Sequence, residues 1–388
     1  MDMEPSKPKE YKKHNSFVGF LDKDGELIAS AQSRCLSLGK DLEKSELSLA
    51  KQNVVRKALD DLSNPAGTSE LPKFQITRHV AAEISLLDDS ELPRYLFHRY
   101  RYEIYPDRKI LDDYPPYLQI EPSSICNYRC VFCFETDPTF NSPKNGFMGK
   151  MSLELFHAVV DQAVGNIEFI SLASRGEPLA CKDIEKMLAY TPGKFLNLKM
   201  NTNASLMDEA KCHSILSSGI RTLVFSADAA EEPLYSQLRV NGKLDKVLAN
   251  IRRFNEIRKK HYPKRRIITR VSGVKFRQEQ NLESMENLWG ELVDQVAFVN
   301  YNPWENVYEA QPNGLATPCS DLWRRMFVWW DGKTNPCDVD YKSTLSVGNI
   351  HKLSISQLWS SAPYGMLRQK HLGKNRQTMR PCSSCTLV

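Results

Sequence analysis

From Tyr117 onward the apolar positions follow two alternating rhythms. Short runs with period two, bounded by turn-forming residues, read as strands: YLQIE from Tyr117, IEFISLA (167–173), FLNLKMNT (195–202), RTLVFSAD (221–228), RIITRVSGV (266–274) and QVAFVNY (295–301). Between them apolar residues recur at helical spacing. The first such stretch begins at Ser152, a suitable N-cap, and carries Leu155, Phe156, Val159, Val160, Ala163 and Val164 on one stripe. Others lie near 182–190, 207–217, 244–262 and 280–292. Strand and helix alternating at this pitch predict parallel βα units. Six strands are too few to close an eight-stranded barrel, so the expected fold is α/β, an open, partial (β/α)6 barrel over 111–302.

The flanks read differently. Residues 1–110 form an α+β extension: a polar start with Pro5 and Pro8 expected to be disordered, then FVGFLDKDGELIAS as a hairpin turning at Asp24-Gly25. Helices follow near Leu47–Leu62 and Val80–Leu87, separated by the breaker-rich SNPAGTSELP. YLFHRYRYEIYP interleaves aromatics with arginine and is read as a packed connector in preference to a nucleic-acid surface. In the C-terminal part, 303–388, FVWWDGKTNPCDVD reads as a hairpin with Asp331-Gly332 at its turn, and ISQLWSSAPYGMLRQKHL as helix. The basic run RRFNEIRKKHYPKRR continues a helix whose apolar stripe is Val247, Leu248, Ile251, Phe254 and Ile257, so its charges are expected on a solvated face.

Composition narrows the class. At 388 residues with 41% hydrophobic content, the chain can bury a large core in two or three domains. No apolar run approaches the roughly 18 residues needed to span a bilayer, and the start lacks a signal-peptide core, so a cytoplasmic protein with no membrane partner is expected. A net charge of +5, spread over many residues, is too weak to call for nucleic acid.

The ten cysteines change the picture most. Cys126, Cys130 and Cys133 form C-x3-C-x2-C directly after the first strand. Three thiolates at one point suit a soft metal centre in a reducing compartment better than a disulfide framework. A four-iron cubane ligated by three thiolates keeps one iron open for a non-protein ligand. Zinc at this loop would lack a nearby fourth ligand, the closest downstream histidine being His157. A second set, Cys319, Cys337, Cys382 and Cys385, could by itself be a structural zinc ribbon. Cys35, Cys181 and Cys212 are expected to be small buried hydrophobes. Cys181, four residues beyond Glu177, is also a candidate to return a hydrogen atom to a substrate radical.

These features resemble the radical S-adenosylmethionine enzymes, whose cysteine pattern also has an aromatic before the third cysteine, here Phe132. SRGEP (174–178) is similar to that family's Gly-Gly-Glu-Pro element, with Arg175 in place of the first glycine, and NTNASL (201–206) to its Thr-Asn-Gly-x-Leu element. SAD (226–228) with YSQLRVNG resembles its Ser-x-Asp and Tyr-x-x-x-Arg-x-x-Gly run. The resemblance implies that Gly176 and Glu177 meet the cofactor's amino group. Ser226 and Arg239 would hold its carboxylate or ribose, and Phe132 and Asn203 join the cofactor contacts. It implies a 4Fe-4S cluster on Cys126, Cys130 and Cys133 that chelates S-adenosylmethionine and generates a 5′-deoxyadenosyl radical. The electron would come from an external donor such as flavodoxin or ferredoxin.

C-x12-G-x4-C (Cys319, Gly332, Cys337) with the pair Cys382 and Cys385 resembles the SPASM extension in its shortened, twitch form. The full pattern continues with further cysteines and this chain stops at Val388, so one auxiliary 4Fe-4S cluster, closed by four cysteines, is expected. Arg270 on the fifth strand is a candidate substrate contact, with an ion pair to Asp228 or Glu177 as the structural alternative. Tyr301, Asn302, Trp304 and Glu305 stand at the barrel mouth, and Trp304 could equally pack the domain junction. The implied activity is dehydrogenation of a hydroxyl on a sugar or aminocyclitol-like molecule. A redox-neutral epimerisation, maturation of a ribosomal peptide gripped by an N-terminal winged-helix module, and a non-catalytic electron carrier remain as alternatives.

Overall fold

The computed structural model describes residues 10–12, 17–23, 26–40, 42–65, 72–173 and 175–388; the polar start over 1–9, the Asp24-Gly25 turn and Ser174 lie outside these. In chain order the strands are β1 (Phe17–Asp22), β2 (Tyr117–Ile120), β3 (Arg129–Cys130), β4 (Phe169–Leu172), β5 (Asn197–Thr202), β6 (Ile220–Ser226), β7 (Arg239–Val240), β8 (Ile268–Lys275), β9 (Gln295–Asn300), β10 (Arg325–Val328), β11 (Lys333–Asn335) and β12 (Gly348–Asn349). The helices are α1 (Leu27–Ser37), α2 (Leu49–Ser63), α3 (Arg78–Ile84), α4 (Leu92–Arg108), α5 (Leu153–Ala163), α6 (Ile184–Ala189), α7 (Glu209–Ser217), α8 (Leu234–Leu238), α9 (Leu244–His261), α10 (Leu282–Trp289), α11 (Ile355–Trp359) and α12 (Ala362–Leu372).

All six anticipated barrel strands form and run parallel in the order β2-β4-β5-β6-β8-β9, making a partial barrel. Register sorts the side chains. Leu118, Ile170 and Leu198 align on the helix-covered face, where all three are buried. Gln119, Ser171 and Lys199 align one position on, facing the barrel interior. This is the period-two alternation of a barrel strand. On the outside, Ser152 caps α5 by accepting from the Leu155 amide at 3.2 Å, and Leu155, Phe156, Val159, Val160 and Ala163 are buried. Each such fully buried side chain stabilises the fold by about 1.5–3 kcal/mol. Helix α9 buries its five predicted apolar positions and exposes Arg252, Lys259 and Lys260.

The expected N-terminal hairpin does not form. After β1 the chain enters α1, where Ala31 and Cys35, four apart, are buried on one face. Strand β1 instead pairs antiparallel with β9, Phe20 opposite Ala297, covering one edge of the open barrel. The aromatic and arginine-rich stretch is α4 and is packed, as read: Tyr95 and Tyr102 each lie 5.8 Å from the Phe169 ring. Helices α1–α4 thus build a second core that includes Phe169 and Leu196, at the N-terminal ends of β4 and β5. The N-terminal region is the floor of the barrel.

At the other edge β10 runs parallel to β2, Phe327 opposite Gln119, so the sheet continues into the C-terminal region. The β10–β11 hairpin turns at Gly332, whose φ of +78° suits glycine. The C-terminal helix is two helices, α11 and α12, the second starting after Ser361 with Pro363 in its first turn. Among the described residues no helix is long and apolar enough to cross a membrane.

Candidate active site

The cysteine loop leaves the C-terminal end of β2 and is pinned on three sides. Ser124 donates its amide to the Gly149 carbonyl at 3.0 Å, and its Oγ accepts from the Gly149 amide at 2.7 Å. Farther along, β3 pairs with β7, setting Cys130 opposite Arg239. Gly176, after β4, presses against the start of the loop: a Cβ there would sit 2.5 Å from the Ser123 carbonyl oxygen. Only glycine allows that approach.

A cavity of about 190 Å³ opens beside the loop. Its lining brings together Cys126, Cys130 and Cys133 with Phe132, Gly176, Glu177, Asn203, Ser226 and Arg239, the residues that the motifs singled out. Glu177 is buried, and both its oxygens are engaged: Oε1 accepts from Leu179 N (3.1 Å) and Thr202 Oγ1 (2.6 Å), Oε2 from Asn203 N (2.7 Å). Burial pushes its carboxyl above the usual range, and these donors oppose the rise. Asn203 also donates to Asn127 Oδ1 at 3.0 Å, tying the loop after β5 to the cysteine loop. Arg239 is held by Asp228 (Nε to Oδ2, 2.5 Å), lies 5.9 Å from the Phe132 ring centre and points Nη1 at Cys130 Sγ, 3.7 Å away.

Arg175 does not disturb this wall. Its guanidinium donates to both oxygens of the buried Glu121 (Nε to Oε2, 2.7 Å; Nη2 to Oε1, 2.5 Å) and to the Tyr341 carbonyl (2.9 Å), and it stacks 4.2 Å from the Trp329 ring centre. The arginine in the glycine's place therefore braces the second barrel strand against the C-terminal region.

Two candidates fall elsewhere. Cys181 is buried in the apolar core, its Sγ 4.0 Å from the Met151 carbonyl, and lines neither this cavity nor its larger neighbour; it belongs to the same buried apolar cluster as Met151, Leu179 and Ile184. Arg270 does face the barrel interior, a cavity of about 380 Å³, but near the start of β8, with neither expected carboxylate. Asp228 is taken by Arg239, and Glu177 by main-chain and hydroxyl donors. Trp304 lines the larger cavity and also packs against the junction cluster. The sequence reading missed Glu135, two residues past the third cysteine: it lines the smaller cavity, neither oxygen has a hydrogen-bond partner, and burial raises its carboxyl to about 8. It also missed His79 and Glu83, whose i, i+4 spacing on α3 was the available signal.

The second cysteine set gathers around Arg376, which donates to the carbonyls of Thr317 (2.7 Å), Cys382 (3.2 Å), Cys385 (2.8 Å) and Leu387 (3.1 Å). His371 Nδ1 accepts from the Cys319 amide at 3.1 Å. Burial pushes the Cys126 and Cys319 thiols up to about 12. Among the described residues no three cysteine, histidine or acidic side chains converge closely enough to share one metal ion. A cubane does not require this, since each thiolate meets its own iron. Asn201 Oδ1, which has no hydrogen-bond partner, and Glu135, whose Oε2 lies 3.5 Å from Arg129 Nη1, stand at the smaller cavity beside three thiols and fit a cluster and a polar cofactor there.

A partial βα barrel with this loop at its C-terminal rim and a cysteine-rich extension defines a class. The chain carries a radical S-adenosylmethionine superfamily domain, matching residues 120–284, and an iron-sulfur cluster-binding SPASM domain, matching residues 319–386. The first domain implies a 4Fe-4S cluster that binds S-adenosylmethionine, and the second implies auxiliary iron-sulfur ligation. Among curated proteins the chain is similar to the GTP 3′,8-cyclase of Clostridium botulinum (strain Hall), 27% identical over 138 residues, 35% of this chain and 42% of the relative. The enzyme of that name from Campylobacter jejuni subsp. doylei is 31% identical over 150 residues, 37% of this chain and 43% of the relative. The match spans less than half the length of these relatives. Among solved structures, Streptococcus suis SuiB bound to precursor peptide SuiA has a TM-score of 0.52 at 15% identity, covering 92% of this chain and 86% of that one. BtrN in complex with AdoMet and 2-DOIA has a TM-score of 0.47 at 17% identity, covering 70% and 92%. At these identities the likeness concerns the fold.

Proposed function

We propose that the protein dehydrogenates a hydroxyl-bearing carbon of a small polyol. The observation that carries this reading is the larger cavity: about 380 Å³, lined by polar and apolar side chains in similar measure, reaching the cofactor wall at Ser226 and Arg239 and floored by α3 and α4. That volume suits a monosaccharide-sized molecule. When bound, S-adenosylmethionine with the first cluster supplies a 5′-deoxyadenosyl radical, and the auxiliary cluster a one-electron acceptor. Cys126, Cys130 and Cys133 hold the first, and Cys319, Cys337, Cys382 and Cys385 the second. Gly176 and Glu177 receive the cofactor's amino group, Arg239 and Ser226 its carboxylate or ribose, and Asn203 braces the rim. An arginine fork suits a carboxylate. The substrate carbon loses a hydrogen atom; the resulting radical loses one proton and one electron and becomes a carbonyl.

The burial of Cys181 in the core speaks against its serving as the hydrogen donor of an epimerase. Among the described residues the N-terminal region contributes one strand, paired to the barrel edge, which speaks against a separate three-stranded leader-binding module. Anaerobic turnover with polyols deuterated at the ring carbons tests the reading. Deuterium in 5′-deoxyadenosine with one carbonyl formed per molecule is expected. Solvent deuterium appearing at a retained carbon centre would overturn it.

A further inference from the structure

The floor of the larger cavity holds a cation that no carboxylate touches. Arg270 is 3% exposed. Its Nε and Nη2 both donate to Gln295 Oε1 (2.8 and 2.6 Å), Nη2 also donates to His79 Nδ1 (2.7 Å), and the rings of Phe17 and Phe20 lie 5.5 and 5.2 Å away. The nearest acids in this network stand one residue back. Asp22 accepts from Gln295 Nε2 at 3.2 Å, and Glu83 meets His79 Nε2 at 3.2 Å. Because Nδ1 of His79 accepts from Arg270, its single ring N–H is on Nε2 and donates to Glu83. Burial and the Arg270 charge keep that imidazole neutral.

Other buried arginines of this chain are spent differently. Arg175 contacts Glu121 and Arg239 contacts Asp228 directly. Arg368 and Arg376 give their N–H groups to main-chain carbonyls. Arg270 lines the cavity with its Nε and Nη2 spent on neutral partners, whereas Arg99, Arg239 and Arg325 on the same wall each pair with a carboxylate, Glu83, Asp228 and Asp321. A buried guanidinium whose acids are held one residue away is costly to the fold unless a ligand supplies the anion.

We infer that the molecule turned over in this cavity carries an oxyanion, a carboxylate or a phosphate monoester, and that Arg270 receives it through Nη1. The inference rests on the reading that the cavity takes a small polyol, and it narrows that class to acidic or phosphorylated polyols, since an ammonium group would meet the Arg270 guanidinium. A planar fork is suited to either oxyanion.

The test is calorimetric titration of the anaerobically reconstituted, S-adenosylmethionine-loaded protein with inorganic phosphate. Competition by glucose 6-phosphate, glucuronate, glucose and glucosamine follows. Saturable phosphate binding is expected, weakened at least about tenfold in Arg270→Gln and less in Arg270→Lys. Iron content and thermal midpoint certify the fold of each variant. Stronger competition by glucose 6-phosphate or by glucuronate identifies the oxyanion. No saturable phosphate binding, undiminished binding in folded Arg270→Gln, or displacement of phosphate by glucosamine overturns the inference. Failure of the radical reading shows separately, as absence of 5′-deoxyadenosine, and does not alter the phosphate isotherm.

Discussion

Glu121 and Arg175 sit 0% and 2% exposed at the seam between barrel and C-terminal region, each satisfying the other. Removing one charge strands its partner where water cannot reach it. Glu121→Gln is expected to destabilise the protein by about 3 kcal/mol, read by urea unfolding of the anaerobic protein, and adding Arg175→Met to recover part of that loss. His371 makes a pH prediction. Burial, aided by Arg376 and Lys109, lowers its folded pKa to about 3 from the usual 6.5. Between those values the unfolded chain holds a proton that the folded one does not, so stability is present above pH 6.5 and falls on acidification. The slope is up to about 1.4 kcal/mol per pH unit. Stability measured at pH 7, 6 and 5 should fall, and His371→Gln should flatten the slope. Residues of this kind were the least legible in the sequence. Arg270 could be placed on a strand, but its partner His79 lies 191 positions away, and nothing local announces it.

The elements themselves were largely legible, because period-two and helical spacing record which face each buries. The six strands and α5, α6, α7, α9 and α10 follow from that pattern, whereas the short α8 was not anticipated. The first hairpin did not, since β1 is completed by β9, and an edge strand's partner is a tertiary fact. The cysteine loop was legible as ligand chemistry, whereas its fastening was not: the β3–β7 ladder and the contact at Gly176 come from distant loops. Gly176→Ala is expected to displace the loop and leave the C-terminal cysteines alone. Iron should fall from about eight to about four per chain. Unchanged iron with unchanged S-adenosylmethionine affinity would contradict the role given to that contact.

On the scale of the whole molecule, three regions serve one cavity. Helices α3 and α4 close its floor with His79, Glu83 and Arg99, the barrel supplies its walls, and Arg325 and Asp338 enter from the C-terminal region. Helices α3 and α4 of the N-terminal region, to which no function could be assigned from the sequence, therefore line the cavity. Tyr95→Ala, which removes a ring packed on Phe169, is expected to cost about 3–5 kcal/mol in urea unfolding. The two cysteine sets face each other across an aromatic junction in which Phe134 stacks on Tyr341 at 4.9 Å, a packed boundary that favours a fixed geometry between them. The loop from Cys126 to Cys133 is expected to initiate radical chemistry. Anaerobic incubation of the reconstituted protein with S-adenosylmethionine and dithionite tests it most directly. 5′-Deoxyadenosine should form with the wild-type chain and vanish in Cys130→Ala that retains its C-terminal iron; none from an iron-replete wild type, or an equal yield from the variant, would contradict the account.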